Sequence, residues 1–473
     1  PTIGIECHVQ LKTKTKLFAG VGNDARDADP NTLVSPICFG LPGTLPVLNA
    51  HALRLAIRAG LALNAHIAEY SKFDRKHYFY PDLPKGYQIT QFDQPIILDG
   101  KVEGVLANGE PFMVRVERAH LEEDAGKSTH PIGTDYSLVD LNRAGTPLLE
   151  IVSKPDIHTP EEAKAYAREL YLLMKYADVS EADLYYGNMR FDVNVSISDN
   201  SDVLGTRTET KNLNSFRAVE KAVEYEINRQ TELLNKGETV VQETRGWDDD
   251  KQKTFSQRTK EDAHDYRYFP EPDIPPIEIS SAQIETEKLS MPLLPGSLRL
   301  ELKNIDLDKS QVEALIEEPK LALIMHHIIE AHDKSTAKTI ANWLTGEAQR
   351  LLSENIITIE QIQISYTQLV TLASMVDSAI LGSSSAKELL AEIITNNVDP
   401  KSLAEKRNLL QVSDESELIL VVEKILSENE NAVKDIKNGE TKAIGFLVGQ
   451  TMKATGGKAN PGVVASIIER LVR

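Results

Sequence analysis

The run His120-Leu121-Glu122-Glu123-Asp124-Ala125-Gly126-Lys127-Ser128 gathers an imidazole, three consecutive acids and a Gly-Lys-Ser ending. The ending imitates a phosphate-binding P-loop. That loop, however, needs a glycine five residues before its Gly-Lys pair, where this chain has Leu121, and it cradles phosphate with backbone N–H groups rather than carboxylates. Read as metal ligands, Glu122, Glu123 and Asp124 supply the hard oxygen donors that suit Mg²⁺, with His120 beside them and Lys127 free to meet a phosphate. A solvated acidic turn accounts for the same residues equally well.

Two other stretches repeat this chemistry on strands. In Ile3 to Leu11 the apolar residues Ile3, Ile5, Cys7, Val9 and Leu11 alternate with Gly4, Glu6, His8 and Gln10, so a strand places Glu6 and His8 on one face. In Met189 to Ile197 the polar side carries Arg190, Asp192, Asn194 and Ser196. The plain alternative is the wet face of an amphipathic strand. Glu150 is less easily dismissed: it interrupts Pro147-Leu148-Leu149-Glu150-Ile151-Val152, and an acid inside an apolar strand is costly unless paired or bound to metal. Nucleophilic catalysis finds no support, since no Gly-x-Ser-x-Gly elbow and no local Cys-His pairing occurs. The stretches Phe73 to Asp82 and His264 to Asp273 mix Arg, Lys and Tyr with proline, which suits phosphate and ribose contacts as well as packed surface turns.

The elements that must position these residues divide the chain near Met291 to Gly296. Of 27 aromatic residues only Trp343, Tyr366 and Phe446 lie beyond residue 290. Upstream, short alternating runs predict sheet; downstream, runs such as Ser310 to Glu318 and Thr336 to Ser353 predict helices. Ser215 is an N-cap for a helix from Phe216 to Asn235, stopped by Gly237. A weaker break falls at Asn396 to Pro400. With 473 residues the chain can bury a substantial core. Its net charge of -19 rules out bulk attraction of a polyanion, so any RNA contact needs a local basic patch. Thr441 to Arg473 provides one, with Lys442, Lys453, Lys458, Arg470 and Arg473 against Glu469. Two cysteines, Cys7 and Cys38, exclude a disulfide scaffold and a four-thiolate zinc site and fit a reducing, cytoplasmic compartment. No apolar start and no long apolar run predicts a membrane segment.

Six strings together resemble the B subunit (GatB) of the glutamyl/aspartyl-tRNA amidotransferases: Ile3 to Leu11, Tyr80 to Ile89, His120 to His130, Asp140 to Glu150, Lys211-Asn212-Leu213-Asn214-Ser215-Phe216, and Asp265 to Pro272. The closing Gly445 to Pro461 resembles that family's tRNA-binding tail. The resemblance implies an α+β chain: a catalytic cradle over 1–290 with an antiparallel, glutamine synthetase-like sheet, an all-α helical domain over 291–400, and a small helical tail over 401–473 that binds tRNA. It implies ATP-dependent amidation of Glu-tRNA(Gln) or Asp-tRNA(Asn), with ammonia from a partner glutaminase, the amidase (A) subunit, and with a small (C) subunit in the same cytoplasmic complex. Carried over by motif, Glu6, His8, Glu122, Glu150 and Asp192 resemble a Mg²⁺ site. Glu123 resembles an acid near the ammonia exit, with Lys85 and Lys127 as further catalytic candidates. Arg75, Lys76, Arg190, Lys211 and Arg267 are the ATP-facing cations, and Lys453, Lys458 and Arg470 the tRNA contacts. Many relatives hold zinc with paired cysteines where this chain has Ala19, Val21, Ser35 and Cys38, so no zinc is expected. Cys7 stands where relatives commonly have Val, as a small apolar substitute. A non-catalytic adaptor that presents mischarged tRNA is the alternative, and a metal-dependent phosphohydrolase a third; an adaptor has no use for carboxylates facing a polyanion.

Overall fold

The computed structural model describes residues 1–473 except 201–202, 260–264, 364, 412–414, 438–439, 441, 457 and 473. His264 of the second Arg/Tyr-rich stretch and Arg473 of the basic tail thus lie outside the described residues. The chain forms two compact units, Pro1–Gly296 and Ser297–Arg473.

The alternation at the start of the chain becomes β1 (Thr2–Gln10), whose Ile3, Ile5, Cys7 and Val9 are all buried. The strands that follow are β2 (His66–Ile67), β3 (Tyr70–Ser71), β4 (Asp74–His77), β5 (Tyr87–Thr90), β6 (Ile97–Val105), β7 (Pro111–Glu123), β8 (Lys127–Thr129), β9 (Leu138–Asp140) and β10 (Pro147–Ser153). After them come β11 (Met189–Ser196), β12 (Thr208–Leu213), β13 (Glu243–Asp248), β14 (Lys253–Thr259), β15 (Phe269–Pro270) and β16 (Ile277–Glu278). Nine of these make one sheet in the order β14-β13-β12-β11-β1-β10-β7-β6-β2. It is antiparallel as expected except for β12 and β13, which run parallel. The N-terminal strand therefore lies at its centre.

Helices α1 (Ala50–Ala62), α2 (Pro160–Tyr176) and α3 (Phe216–Asn235) share one core with the apolar side of the sheet, where Leu55, Tyr166, Leu170, Val219 and Val223 join Ile3, Ile5, Phe191 and Val193. Each such side chain contributes about 1.5–3 kcal/mol when fully buried, so a single charge there, as in Ile5→Asp, would break the packing. The helix ends follow local chemistry. Ser215 caps α3 by accepting from the Ala218 N–H, and Thr159 with Glu162 forms a capping box on α2. With one face of the sheet spent on helices, the polar side chains of β1, β7, β10 and β11 are left to the other. Helix α4 (Ser281–Leu289) closes the unit, its Glu287 paired with Arg54 of α1 at 2.6 Å.

The second unit is helical. It takes up α5 (Pro295–Asn304) from Ser297 on, then α6 (Lys309–Glu317), α7 (Pro319–Ala331), α8 (Lys334–Trp343), a π turn over Leu344–Ala348, α9 (Gln349–Ser353), α10 (Tyr366–Asp377), α11 (Ser383–Asn396) and α12 (Pro400–Lys406). Helices α13 (Glu415–Glu428), α14 (Glu430–Lys437), α15 (Lys442–Ala454) and α16 (Pro461–Val472) enclose a core of their own, built on Leu418, Val422, Leu447, Val464, Ile467 and Ile468. The whole is a mixed α+β chain, sheet first and helices after. Among the described residues no helix is long and apolar enough to cross a membrane.

Candidate active site

Register assembles the site. β1 sets His8 opposite Glu150 of β10 and opposite Arg190 of β11, and Glu6 opposite Asp192; β10 sets Glu150 opposite His120 and Leu148 opposite Glu122 of β7. Side chains directly opposite on one face lie about 4.5–5.5 Å apart at Cβ, so one row across the sheet reads Arg190, His8, Glu150, His120.

Two ligand groups result. In the first, His8 Nε2 lies 3.4 Å from Glu150 Oε2 and 3.7 Å from Glu122 Oε1, while His120 Nε2 is 3.5 Å from Glu150 and 3.8 Å from Glu122. Burial alone would lower the pKa of the His8 imidazole, but the hydrogen bond and charge of Glu150, with Glu122 and Asp192 behind it, outweigh burial and raise it to about 9. Burial alone would raise the carboxyl groups of Glu122 and Glu150; the facing histidines hold both below the usual range. In the second, Glu6, Asp192 and Glu209 offer oxygens within 4.8 Å of one another. Burial, then the charges of Glu150 and Glu209, push Glu6 up. Lys211 answers part of that charge, at 3.1 Å from Asp192 and 2.9 Å from Glu209.

A β-bulge explains Lys211. Phe191 pairs with Leu213 but Val193 with Thr210, so β12 carries an extra residue opposite Asp192. Asn212 takes the left-handed conformation there (φ 60°), and its N–H donates to Asp192 Oδ1 at 2.8 Å. Both residues of the Lys211-Asn212 string thereby meet one carboxylate.

The donor set, five carboxylates and two imidazoles on one face, fits a hard divalent cation such as Mg²⁺. His120 turns its Nε2 to Glu122 and Glu150, and its Nδ1 is buried without a hydrogen-bond partner. Glu6, His8, Glu122, Glu150 and Asp192 are thus brought together as a set. Sequence reasoning missed Glu209; its signal was the alternation Thr208, Glu209, Thr210, Lys211 before the recognised string.

The remaining predicted residues distribute around this face. Glu123, one residue past Glu122, points away by alternation; it is buried, pairs with Lys85, and accepts from the Ile89 N–H at 3.0 Å. Arg190 donates to Asp124 at 3.1 Å. Lys127 lines a cavity of about 670 Å³ with Gln10, Lys12, Lys14 and Arg143. The two Arg/Tyr-rich stretches meet: β15 pairs with β4, and the His77 N–H donates to the Tyr266 carbonyl. Lys76 then lies over the Tyr266 ring and shares a cavity of about 400 Å³ with His120, Glu122, Glu150, Phe92 and Tyr268, the last two stacked at 4.0 Å.

Arg75 does not join it. Alternation turns it to the other side of β4, where Glu271 takes both ends of its guanidinium at 2.7 and 2.9 Å. That pair holds residue 271 to β4. Arg267 is exposed and pairs with Asp265 at 3.8 Å. Lys453 lies in the last turn of α15 and is exposed, Lys458 follows it partly buried, and Arg470 is exposed on α16. Cys38 is buried, with Lys16 and Ser35 as its polar neighbours.

Comparison with known proteins gives the family. A family model described as "GatB/GatE catalytic domain" matches residues 1–285, and one described as "GatB domain" matches residues 324–472. A protein of Thermoanaerobacter sp. (strain X514), named as the B subunit of an aspartyl/glutamyl-tRNA(Asn/Gln) amidotransferase, is 45% identical over 469 residues, 99% of this chain and 98% of the relative. Proteins of the same name from Persephonella marina and Thermomicrobium roseum are 44% and 43% identical over 475 residues, 100% of this chain and 99% and 98% of theirs.

Proposed function

Since the chain belongs to the GatB family, the B subunits of aspartyl/glutamyl-tRNA(Asn/Gln) amidotransferases, we propose that it carries out the ATP-dependent half of that reaction. The side-chain carboxylate of Glu on tRNA(Gln), or of Asp on tRNA(Asn), is phosphorylated and then amidated. A carboxylate is a poor acyl donor at neutral pH; as an acyl phosphate its oxygen leaves with the phosphoryl group. The observation that carries the reading is the convergence of His8, Glu122 and Glu150 with Glu6, Asp192 and Glu209 on one sheet face edged by Lys76, Arg190 and Lys211. Glu6, His8, Glu122, Glu150 and Asp192 would hold Mg²⁺, which when bound offsets charge on the transferring phosphoryl group. Lys76, Arg190 and Lys211 orient phosphate oxygens, and the charges of Glu122 and Glu150 keep Lys76 cationic against its burial. The cavity under Phe92 and Tyr268 has the room and the flat apolar walls for the nucleotide.

Glu123, fixed by Lys85, takes the proton that separates ammonium from attacking ammonia, and Lys127 meets the substrate's phosphate. Ammonia comes from the glutaminase, the amidase (A) subunit, with a small (C) subunit in the same cytoplasmic complex; the lack of a nucleophile motif in this chain supports that division. The cradle over 1–290 is related to glutamine synthetase, 291–400 forms the helical domain, and 401–473, through Lys453, Lys458 and Arg470, binds tRNA.

The test is the chain with its partner subunits, ATP, glutamine and each mischarged tRNA, scored for amidated aminoacyl-tRNA. Free phosphate without amide would overturn the reading in favour of a phosphohydrolase. tRNA binding with neither product would favour the adaptor.

A further inference from the structure

Lys16 is a buried cation that the proposed reaction leaves unused. Its side chain is 1% exposed, and Nζ meets Cys38 Sγ at 3.4 Å and the Leu141 carbonyl at 3.3 Å. A buried ammonium normally faces a carboxylate, because one thiol and one carbonyl return little of the cost of removing a charge from water. Burial accordingly pulls the Lys16 ammonium down toward its neutral form, against the pull of Cys38, Glu123 and Asp140. Cys38 is itself buried, and Ser35 Oγ stands 3.5 Å from its sulfur. Cys7 is a contrast, packed in the apolar core. A separation of 3.4 Å falls within the roughly 3–3.5 Å from which bound atoms react.

We propose that Lys16 and Cys38 form a redox-controlled nitrogen–sulfur crosslink, a sulfenamide, when the protein meets hydrogen peroxide. Cys38 passes its thiol proton to the neighbouring Lys16 Nζ as its sulfur attacks one peroxide oxygen: an S–O bond forms, the O–O bond breaks, sulfur loses two electrons, and the departing hydroxide leaves as water with the proton that Lys16 then sheds. The neutral Nζ then attacks sulfur: an N–S bond forms, the S–O bond breaks, and hydroxide leaves with an amine proton as a second water. In sum, amine, thiol and one peroxide give the crosslink and two waters, and an external thiol reverses it.

The crosslink would act on the Lys85–Glu123 pair from two sides. A Cβ at Gly40, two residues past Cys38, would lie 2.9 Å from Lys85 Cα, so the Cys38 loop runs directly against that lysine's backbone. One at Gly145 would lie 3.4 Å from Lys16 Cδ and 3.8 Å from Glu123 Oε2, so a bare glycine is all that separates the two side chains there. Joining Lys16 to Cys38 takes away the amine that could carry a proton beside Glu123 and ties the two supports together. The predicted loss of amidation rests on the proposed function; the crosslink does not.

The test treats the full chain, alone and with its partner subunits, with hydrogen peroxide and reads intact mass, linked peptides and amidation. The expected result is a species lighter by two hydrogens, a peptide holding Lys16 joined to one holding Cys38, amidation reduced at least tenfold, and recovery of mass and activity with dithiothreitol. Lys16→Arg should stop at a dimedone-reactive sulfenic acid, and Cys38→Ala should show neither the linked peptide nor peroxide-sensitive amidation. Wild-type peptide mapping decides the matter even if a variant fails to fold. A Cys7–Cys38 disulfide, over-oxidised Cys38, or unmodified Cys38 would overturn the crosslink. A linked peptide with undiminished amidation would overturn its regulatory role, and absence of amidation before any treatment would count against the proposed function alone.

Discussion

His8 and His120 both stand between Glu122 and Glu150, and removal of His8 leaves the two carboxylates with His120 alone of that pair. His8→Ala is therefore expected to lower ATP-dependent amidation by at least about 10–100-fold, the loss typical of disturbed metal sites, while glutamine hydrolysis by the partner persists. Near-normal turnover of this variant at limiting Mg²⁺ would remove His8 from the ligand set. Lys85 and Glu123 make a different kind of pair, buried on both sides and lying off the metal-facing row. Breaking a buried pair by deleting one partner costs roughly 3–5 kcal/mol, because the other charge is left stranded. Lys85→Met should destabilise the chain by about that amount in denaturant unfolding, with Glu123→Gln restoring part of it in the double variant. A change of Lys85→Met within about 0.5 kcal/mol of wild type would mean that the carboxylate finds another partner.

At the scale of elements, the edge of the sheet is pinned to α3 by one buried acid. Glu226 accepts from Thr208 Oγ1 of β12 at 2.8 Å and from Thr254 Oγ1 of β14, and it pairs with Arg229 at 2.7 Å and with Arg245 of β13 at 3.0 Å. Burial alone would raise its pKa; Arg229, Thr254 and Thr208 outweigh it and hold the group below the usual carboxylate range. The folded state then binds fewer protons than the unfolded chain between the folded and ordinary values. Stability rises with pH through that window, is fully present above it, and is lost as pH falls toward the folded value. Glu226→Gln should cost about 1–3 kcal/mol at neutral pH, with the gap to wild type closing in thermal melts taken progressively below pH 4.5, the ordinary value of the group. A gap that does not change with pH would mean that shape rather than charge fastens α3.

At the scale of the molecule, catalysis and tRNA binding are expected to be separable. Helix α12 packs on α10 and α11, whereas the helices from Glu415 onward have their own core, so removing residues 412–473 takes away the basic tail and spares the carboxylate face. The shortened protein, assembled with its partners, should show a raised KM for aminoacyl-tRNA and little change in kcat at saturating tRNA. Its log-log salt slope should shrink by roughly 0.7–0.9 for each phosphate that the tail no longer neutralises, so low salt partly restores binding. A collapse of kcat with tRNA affinity intact would give the tail a catalytic or architectural role instead.

The faces were legible before the fold. Period-two alternation in Ile3 to Leu11 and Met189 to Ile197 assigns Glu6, His8 and Asp192 to polar sides and Cys7 to the core, and Ser215 and Gly237 delimit α3, because these patterns act within a few residues. What alternation cannot specify is which strand lies next to which. His8 meets Glu150 and Glu209 joins Glu6 through pairings that span most of the first unit, and the bulge that turns the Asn212 N–H to Asp192 exists only relative to its partner strand. The same long-range pairing gave Arg75 to Glu271, and the packing of two loop segments gave Lys16 to Cys38. Local chemistry thus determined which residues could act, and register, a property of strands brought together from afar, decided which of them face one another.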